Sequence, residues 1–231
     1  DLKGIQAGAD FLTIGALTTH AMVAASEAVK AGCPILADAA AQIGDLQVRN
    51  RGTIGGSLAH ADPAADFPPV VVALGATLTA TGATGQREIA AENFFTDLFT
   101  TALEPGELLT SLSVPTYGAG TGGAYLKHRH PASSYAVVGT AALVTLENGR
   151  CGRVSLVVVG ATPTPVRARA AEQALTGEAP DEAVIAAAAA KVAEAITDPL
   201  SDLYASGEYR VHLATVLARR ALAAAVGRAR G

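Results

Sequence analysis

Residues 49–66 read RNRGTIGGSLAHADPAAD, and how this stretch is read decides the fold. Thr53-Ile54 is a β-type entry, and Gly55-Gly56 then permits a turn with a close backbone approach that a Cβ would forbid. Such a turn is expected to present successive N–H groups as a nest for phosphate oxygens, with the Ser57 hydroxyl as a further donor. A Gly-Gly turn is nonetheless more often a plain chain reversal than a phosphate site. The stretch is neither a Walker loop nor a Gly-x-Gly-x-x-Gly fingerprint, because the Lys-Ser/Thr pair and the third glycine are missing.

Pro68 and Pro69 locate the helix that follows. A start at Asp62 would leave both prolines inside the helix, where they break it. With Asp66 as N-cap they fall in the first turn, where no intrahelical N–H is needed, and the body runs through Val70–Leu74 to Gly75. This assigns Asp66 to capping and leaves Asp62, in the link, free for a ligand. His60, Asp62 and Asp66 lack further ligands at a familiar metal spacing, and so do His128 and His130, which alternate along a strand; no metal site is expected.

The 231 residues are half apolar and 16% charged with a net charge of −4, which points away from disorder and from a nucleic-acid partner. The apolar stretch Ala136–Leu146 is too short for a membrane span, and Ala183–Ile196 carries Lys191 and Glu194. Asp1-Leu2-Lys3 opens no signal-peptide pattern, so the cytoplasm is the expected compartment. The single methionine is Met22, which suggests a processed chain or a fragment. Cys33 and Cys151 stand far apart, so an iron–sulfur cluster would have to sit on a partner.

Along the chain, Phe11–Ile14 reads as a strand, Thr18 or Thr19 as the cap of a helix to Lys30, and Pro34–Ile43 as a second helix. Thr77–Thr81, Arg87–Ala90 and Leu108–Val114 read as strands. A glycine-rich link over 116–123 divides the chain into an expected first domain, 1–117, and a second, 118–231. In the second, Ala124–His128, Tyr135–Glu147 and Val154–Val159 predict an antiparallel three-stranded sheet whose last two strands join at Asn148-Gly149. Helices are expected from Pro165 to Leu175, from Asp181 to Ile196, and from Gly207 to Arg228. The fold class is therefore α+β, ending in a helical bundle.

Three segments carry a family resemblance. RNRGTIGGSLAHADPAADFPPVVVALGATL (49–78), GAYLKHRHPASSYAVVGTAALV (123–144) and GADFLTIGALTTHAMVAAS (8–26) together resemble the FAD-binding, medium subunit of molybdenum-containing hydroxylases, the family of aerobic carbon monoxide dehydrogenase and xanthine dehydrogenase. The resemblance implies a PCMH-type FAD-binding domain lacking its N-terminal subdomain, since the family's Ala-Gly-Gly loop has no counterpart here, followed by the family's C-terminal domain. It implies FAD as cofactor and places Thr53, Ile54, Gly55, Gly56 and Ser57 against the pyrophosphate and ribityl chain. It also places Asp62 at the ribityl region, the backbone of Leu108 and Leu109 at the adenine edge, and Lys127 and Tyr135 near the isoalloxazine ring. A lysine ammonium there would stabilise reduced flavin, while a tyrosine can pack its ring and donate a hydrogen bond.

The implied function is electron transfer from the iron–sulfur clusters of a small subunit, through FAD, to NAD, a quinone or oxygen. Substrate would be oxidised on a molybdopterin large subunit. No catalytic acid or base is then expected in this chain. Alternatives are a non-catalytic scaffold that has lost the cofactor, and a stand-alone flavin reductase.

Overall fold

A computed structural model describes residues 2–231. Alternation sets the first strands: in β2 (Phe11–Gly15) Leu12 and Ile14 point into the core while Phe11 and Thr13 face out, and β1 (Ile5–Ala7) pairs with its outer edge. A run of short helices follows, α1 (His20–Ala25), α2 (Glu27–Gly32), α3 (Pro34–Gln42), α4 (Leu46–Arg51), α5 (Ile54–His60) and α6 (Phe67–Leu74). Their starts are local chemistry, since side-chain oxygens of Thr19, Ser26, Asp45 and Thr53 each accept a first-turn N–H. Ser26 thereby splits the single helix expected up to Lys30 into α1 and α2. Gly75, at φ +69°, closes α6 as expected.

The chain then lays down β3 (Thr77–Gly82), β4 (Gly85–Ala90), a small hairpin of β5 (Phe95–Asp97) and β6 (Thr100–Thr101), and β7 (Leu108–Pro115). β7 inserts between β2 and β3, giving an antiparallel sheet in the order β1-β2-β7-β3-β4.

The second sheet is the expected meander of β8 (Thr121–Arg129), β9 (Ala136–Glu147) and β10 (Arg150–Val159). Asn148 and Gly149, both at positive φ, form the tight turn between the last two. A two-residue strand, β11 (Val166–Arg167), adds a fourth member at the edge, where a helix start was expected. The reason is Glu172, which accepts the Leu156 N–H at 2.8 Å and grips the Arg167 guanidinium, holding that segment extended. Helix α7 (Arg169–Leu175) therefore begins later, followed by α8 (Glu182–Ala190), capped by Asp181, and the long α9 (Gly207–Ala229). Gly122 and Gly123 are in β8 and not in a link: a Cβ on Gly122 would overlap the backbone of α9 at Ala225 and Ala229.

Both faces of this sheet are covered, so β9 is buried at every position from Ala136 to Val144 and shows no polar alternation. Ala124, Val138, Ala142, Val144, Leu156 and Val158 pack on the α7–α9 side. Tyr125, Ala141, Leu143 and Val157 join the core built with α3 and α6. Helix α6, buried along its whole length, packs on β9 and β10, and α3 packs on β8, so the two halves meet through both helices.

Candidate functional site

A cleft of about 500 Å³ opens where α4, α5, the link 61–66 and the loop 130–135 converge. Thr53, Gly56, Ser57, Asp62 and Tyr135 line it, together with Asp66, expected only as a helix cap, and with His20, Arg51, Ser133 and Ser134, which the sequence did not single out.

The Gly-Gly pair is the first correction. It lies in the first turn of α5 rather than in an open turn, and neither glycine has a positive φ. Every early amide is already used: Ile54 N–H donates to the Thr18 carbonyl at 2.9 Å, Gly55 N–H to the Ala16 carbonyl at 2.9 Å, and Gly56 N–H to Thr53 Oγ1 at 3.1 Å. No amide nest forms, because the Thr53 cap and a bridge to Thr19 draw the segment into a helix. Ile54 and Gly55 lie buried behind the wall, while Gly56 and Ser57 face the cleft.

Asp66 does not take the capping duty expected of it, and Asp62 takes a structural bond beside its place on the cleft. Asp66 stands at the N-cap position of α6 but makes no side-chain capping bond. Its carboxylate instead accepts the Tyr125 hydroxyl at 2.5 Å and the Lys127 ammonium at 2.8 Å. Asp62 Oδ1 accepts the Ala64 N–H at 2.8 Å, an Asx turn that shapes the link, and Oδ2 lies 3.9 Å from His60 Nε2. Asp62 thus carries a structural bond and still borders the cleft.

Lys127 is almost wholly buried, and its three protons are committed to Asp66, to the Gln42 carbonyl at 3.0 Å and to the Ser134 carbonyl at 2.7 Å. With its donors so committed, Lys127 acts in this structure as a tether between α3, α6 and the loop 130–135. Burial holds the Asp66 carboxyl above its usual range and the Lys127 ammonium below its own, while three donations and two acceptances describe an ion pair. The tether fixes Ser134, which sits at φ +63°, and so presents the half-exposed ring of Tyr135 at the cleft rim. Burial, then Asp62 and Asp66, raise the Tyr135 hydroxyl's pKa, which keeps it protonated. Leu108 and Leu109 lie on β7 outside the cleft wall, Leu108 largely exposed opposite Thr81 and Leu109 opposite Ala80.

His20 forms part of the cleft wall, yet it is only 5% exposed, and its Nδ1 is buried without a hydrogen-bond partner among the described residues. Burial, assisted by Arg49, lowers its pKa to about 4, so the ring is neutral at neutral pH. The folded value lies below the unfolded one, so its contribution is complete above pH 6.5 and drains away as pH falls toward 4. Urea denaturation across that window should show a loss of about 3 kcal/mol from this group, and His20→Phe should flatten that part of the profile.

The donors and surfaces suit a dinucleotide flavin: an aromatic ring at the rim, the hydroxyls of Thr53, Ser57, Ser133 and Ser134, the Arg51 guanidinium, and apolar Ile43, Val48 and Ala65. Comparison with known proteins agrees. Residues 1–117 match the FAD binding domain in molybdopterin dehydrogenase, and residues 123–225 match the CO dehydrogenase flavoprotein C-terminal domain. The 6-hydroxypseudooxynicotine dehydrogenase complex subunit alpha of Paenarthrobacter nicotinovorans is 39% identical over 230 residues, covering 99% of this chain and 77% of that one. The carbon monoxide dehydrogenase medium chain of Afipia carboxidovorans is 38% identical, covering 100% and 80%. A solved carbon monoxide dehydrogenase of Hydrogenophaga pseudoflava, lacking the Mo-pyranopterin moiety of its cofactor, superposes with a TM-score of 0.94 at 38% identity, over 98% of this chain and 79% of that one.

Fold and cleft together define an FAD-binding oxidoreductase subunit. The chain belongs to the FAD-binding medium-subunit family of the molybdenum hydroxylases, which includes carbon monoxide dehydrogenase and xanthine dehydrogenase. Among the described residues no helix is long and apolar enough to cross a membrane.

Proposed function

We propose that the cleft between α5 and the loop 130–135 holds FAD, with the isoalloxazine against Tyr135 and the ribityl–diphosphate chain along Thr53, Gly56 and Ser57. The observation that carries this reading is the Tyr135 ring, exposed at the rim yet fixed from behind by the Lys127 bond to Ser134. Bound there, FAD supplies the exchange of electrons between a hydroxylase and its acceptor. The chain's residues bind and orient: hydroxyls meet the polar chain, Tyr135 packs the ring, and Asp62 borders the link. In this reading Ile54 and Gly55 act from behind, by packing α5, and Lys127 acts as a positioning residue. Leu108 and Leu109 would serve an adenine edge only along β7, outside the cleft.

The donor is an iron–sulfur small subunit and the site of substrate oxidation a molybdopterin large subunit, in the cytoplasm, with NAD or a quinone as acceptor. The relatives' descriptions as medium chain and as a complex subunit support a multi-subunit assembly. The organisation proposed is an FAD-binding domain over 1–117 and a C-terminal domain over 118–231.

Titrating FAD into the chain should quench flavin fluorescence and raise the melting temperature; a scaffold would do neither. Reduction of bound flavin should require the iron–sulfur partner, whereas a stand-alone reductase would turn over without it. Tyr135→Ala should weaken FAD binding by about tenfold, the order of an aromatic stacking contact, while Tyr135→Phe should retain most of it.

A further inference from the structure

The segment 197–206, which leads into α9, holds an apolar tip out in solvent. Leu203 is fully exposed and Tyr204 beside it is half-exposed, although apolar surface left in water is unfavourable. The loop is fixed from within. Asp202 Oδ1 accepts the Tyr204 N–H at 2.9 Å and the Ala205 N–H at 2.8 Å, while Oδ2 accepts from the Arg210 guanidinium. Arg210 is itself buried and also donates to the Val137 and Gly160 carbonyls, which ties the loop to β9 and to the end of β10. The carboxylate next to Leu203 is therefore spent inside the loop, and the tip keeps its apolar character. From the tip the patch runs to the cleft: the Tyr204 ring packs on His130 with centroids 4.5 Å apart, and the His130 N–H donates to the Tyr135 carbonyl at 2.8 Å. Tyr209, half-exposed at the start of α9, stands edge-on to His128 at 6.3 Å.

We infer that this patch, Leu203, Tyr204 and Tyr209 with His128 and His130, is the docking surface for the iron–sulfur subunit that passes electrons to the flavin. The inference rests on the FAD reading above and adds to it the face by which the partner approaches. Position selects this occupant. The patch shares the loop 130–135 with the cleft rim, so a protein seated on it lies beside Tyr135, where the isoalloxazine is placed. Electron transfer through protein falls steeply with distance, and of the proposed partner subunits only the one that reduces the flavin has to come so near the ring. Chemistry selects a protein as well. Tyrosine is enriched and charge depleted at the centre of subunit interfaces, and tyrosine rings give contact area at little cost in side-chain freedom. A small acceptor such as a quinone needs a concave site, which a projecting leucine does not offer.

The test uses the full chain loaded with FAD and the iron–sulfur subunit purified from the same complex. Leu203→Asp places a charge where the interface would have to desolvate it, and should weaken binding of the iron–sulfur subunit by about thirtyfold; Tyr204→Ser should weaken it by about tenfold. Because Leu203 is fully exposed in this chain, the melting temperature and FAD affinity of Leu203→Asp should match the wild type. On rapid mixing with the reduced iron–sulfur subunit, flavin reduction in Leu203→Asp should be slow at low partner concentration and regain the wild-type rate at saturation, which an altered flavin would not do. If both variants bind the iron–sulfur subunit as the wild type does, or release only the molybdopterin subunit, the inference fails while the FAD reading stands. It fails in the same way if the wild-type chain alone is a dimer that Leu203→Asp splits. If the wild type takes up no FAD, the FAD reading fails and takes the inference with it.

Discussion

Lys127→Met is expected to destabilise the chain by about 3–5 kcal/mol, because it strips the partner from a buried carboxylate. Asp66 is 5% exposed, sits 2.8 Å from the ammonium, and among the described residues has only the Tyr125 hydroxyl as its other donor. The Gln42 and Ser134 carbonyls lose their donor at the same time, so the loop presenting Tyr135 loosens and FAD retention should fall with stability. Adding Asp66→Asn removes the unpaired charge while leaving an acceptor for Tyr125, and the double variant should be more stable than Lys127→Met alone. The sign of the pH effect is also set. Burial already raises the Asp66 carboxyl, and without Lys127 it rises further. A raised folded value contributes stability at low pH that is lost as pH rises, so the deficit of Lys127→Met should be smaller at pH 5 than at pH 8. Denaturant titrations at the two pH values measure it; an equal deficit at both would mean that Asp66 is not carrying the cost.

This pair also marks the limit of what the sequence discloses. Residues adjacent in sequence to a motif were readable: Thr53, Ser57 and Tyr135 were named from their own stretches and do line one cleft. Lys127 and Asp66 are 61 positions apart, and only the packing of β8 on α3 and α6 reveals that they meet. Asp66 was given to capping because an N-cap aspartate has a local reason to exist, and a tertiary partner overrode it. His20 escaped notice because a lone histidine after a threonine cap forms no pattern. For the fold, α3, α6 and the meander were legible from proline, glycine and Asn-Gly punctuation. Helix α4 was not, since Leu46 and Val48 are exposed and no apolar stripe marks it; its only sign was Asp45, whose side chain accepts the Val48 N–H at 2.8 Å. The insertion of β7 between β2 and β3 is long-range pairing that no local signal encodes.

Gly55→Ala and Gly56→Ala, one position apart, should give opposite results. A Cβ on Gly55 would lie 2.7 Å from the Ala16 carbonyl oxygen and 2.8 Å from its Cα, with the Ala16 methyl nearer still. All three belong to Ala16, in the turn after β2, so α5 would have to move away as a unit. That movement breaks the Gly55 bond to Ala16 and the Ile54 bond to Thr18, and it pulls Ile54, fully buried, out of its packing. Overpacking of this kind costs about 1–3 kcal/mol, and the lost hydrogen bonds place Gly55→Ala at the upper end. The cleft wall is α5 itself, so flavin binding should be lost together with stability. On Gly56 the added methyl meets only the Thr53 Oγ1, at 2.9 Å, and otherwise faces the cleft. Helix propensity favours alanine there by up to about 1 kcal/mol, which offsets the pressure on the cap. Gly56→Ala should therefore keep its melting temperature within a few degrees while binding FAD more weakly, because the methyl takes up space along the cofactor chain. Thermal melts and FAD titrations on the two variants separate the roles: Gly55 lets the helix approach the sheet, and Gly56 lets the cofactor approach the helix. If Gly56→Ala bound FAD as tightly as the wild type, the diphosphate would have to lie elsewhere than along the start of α5.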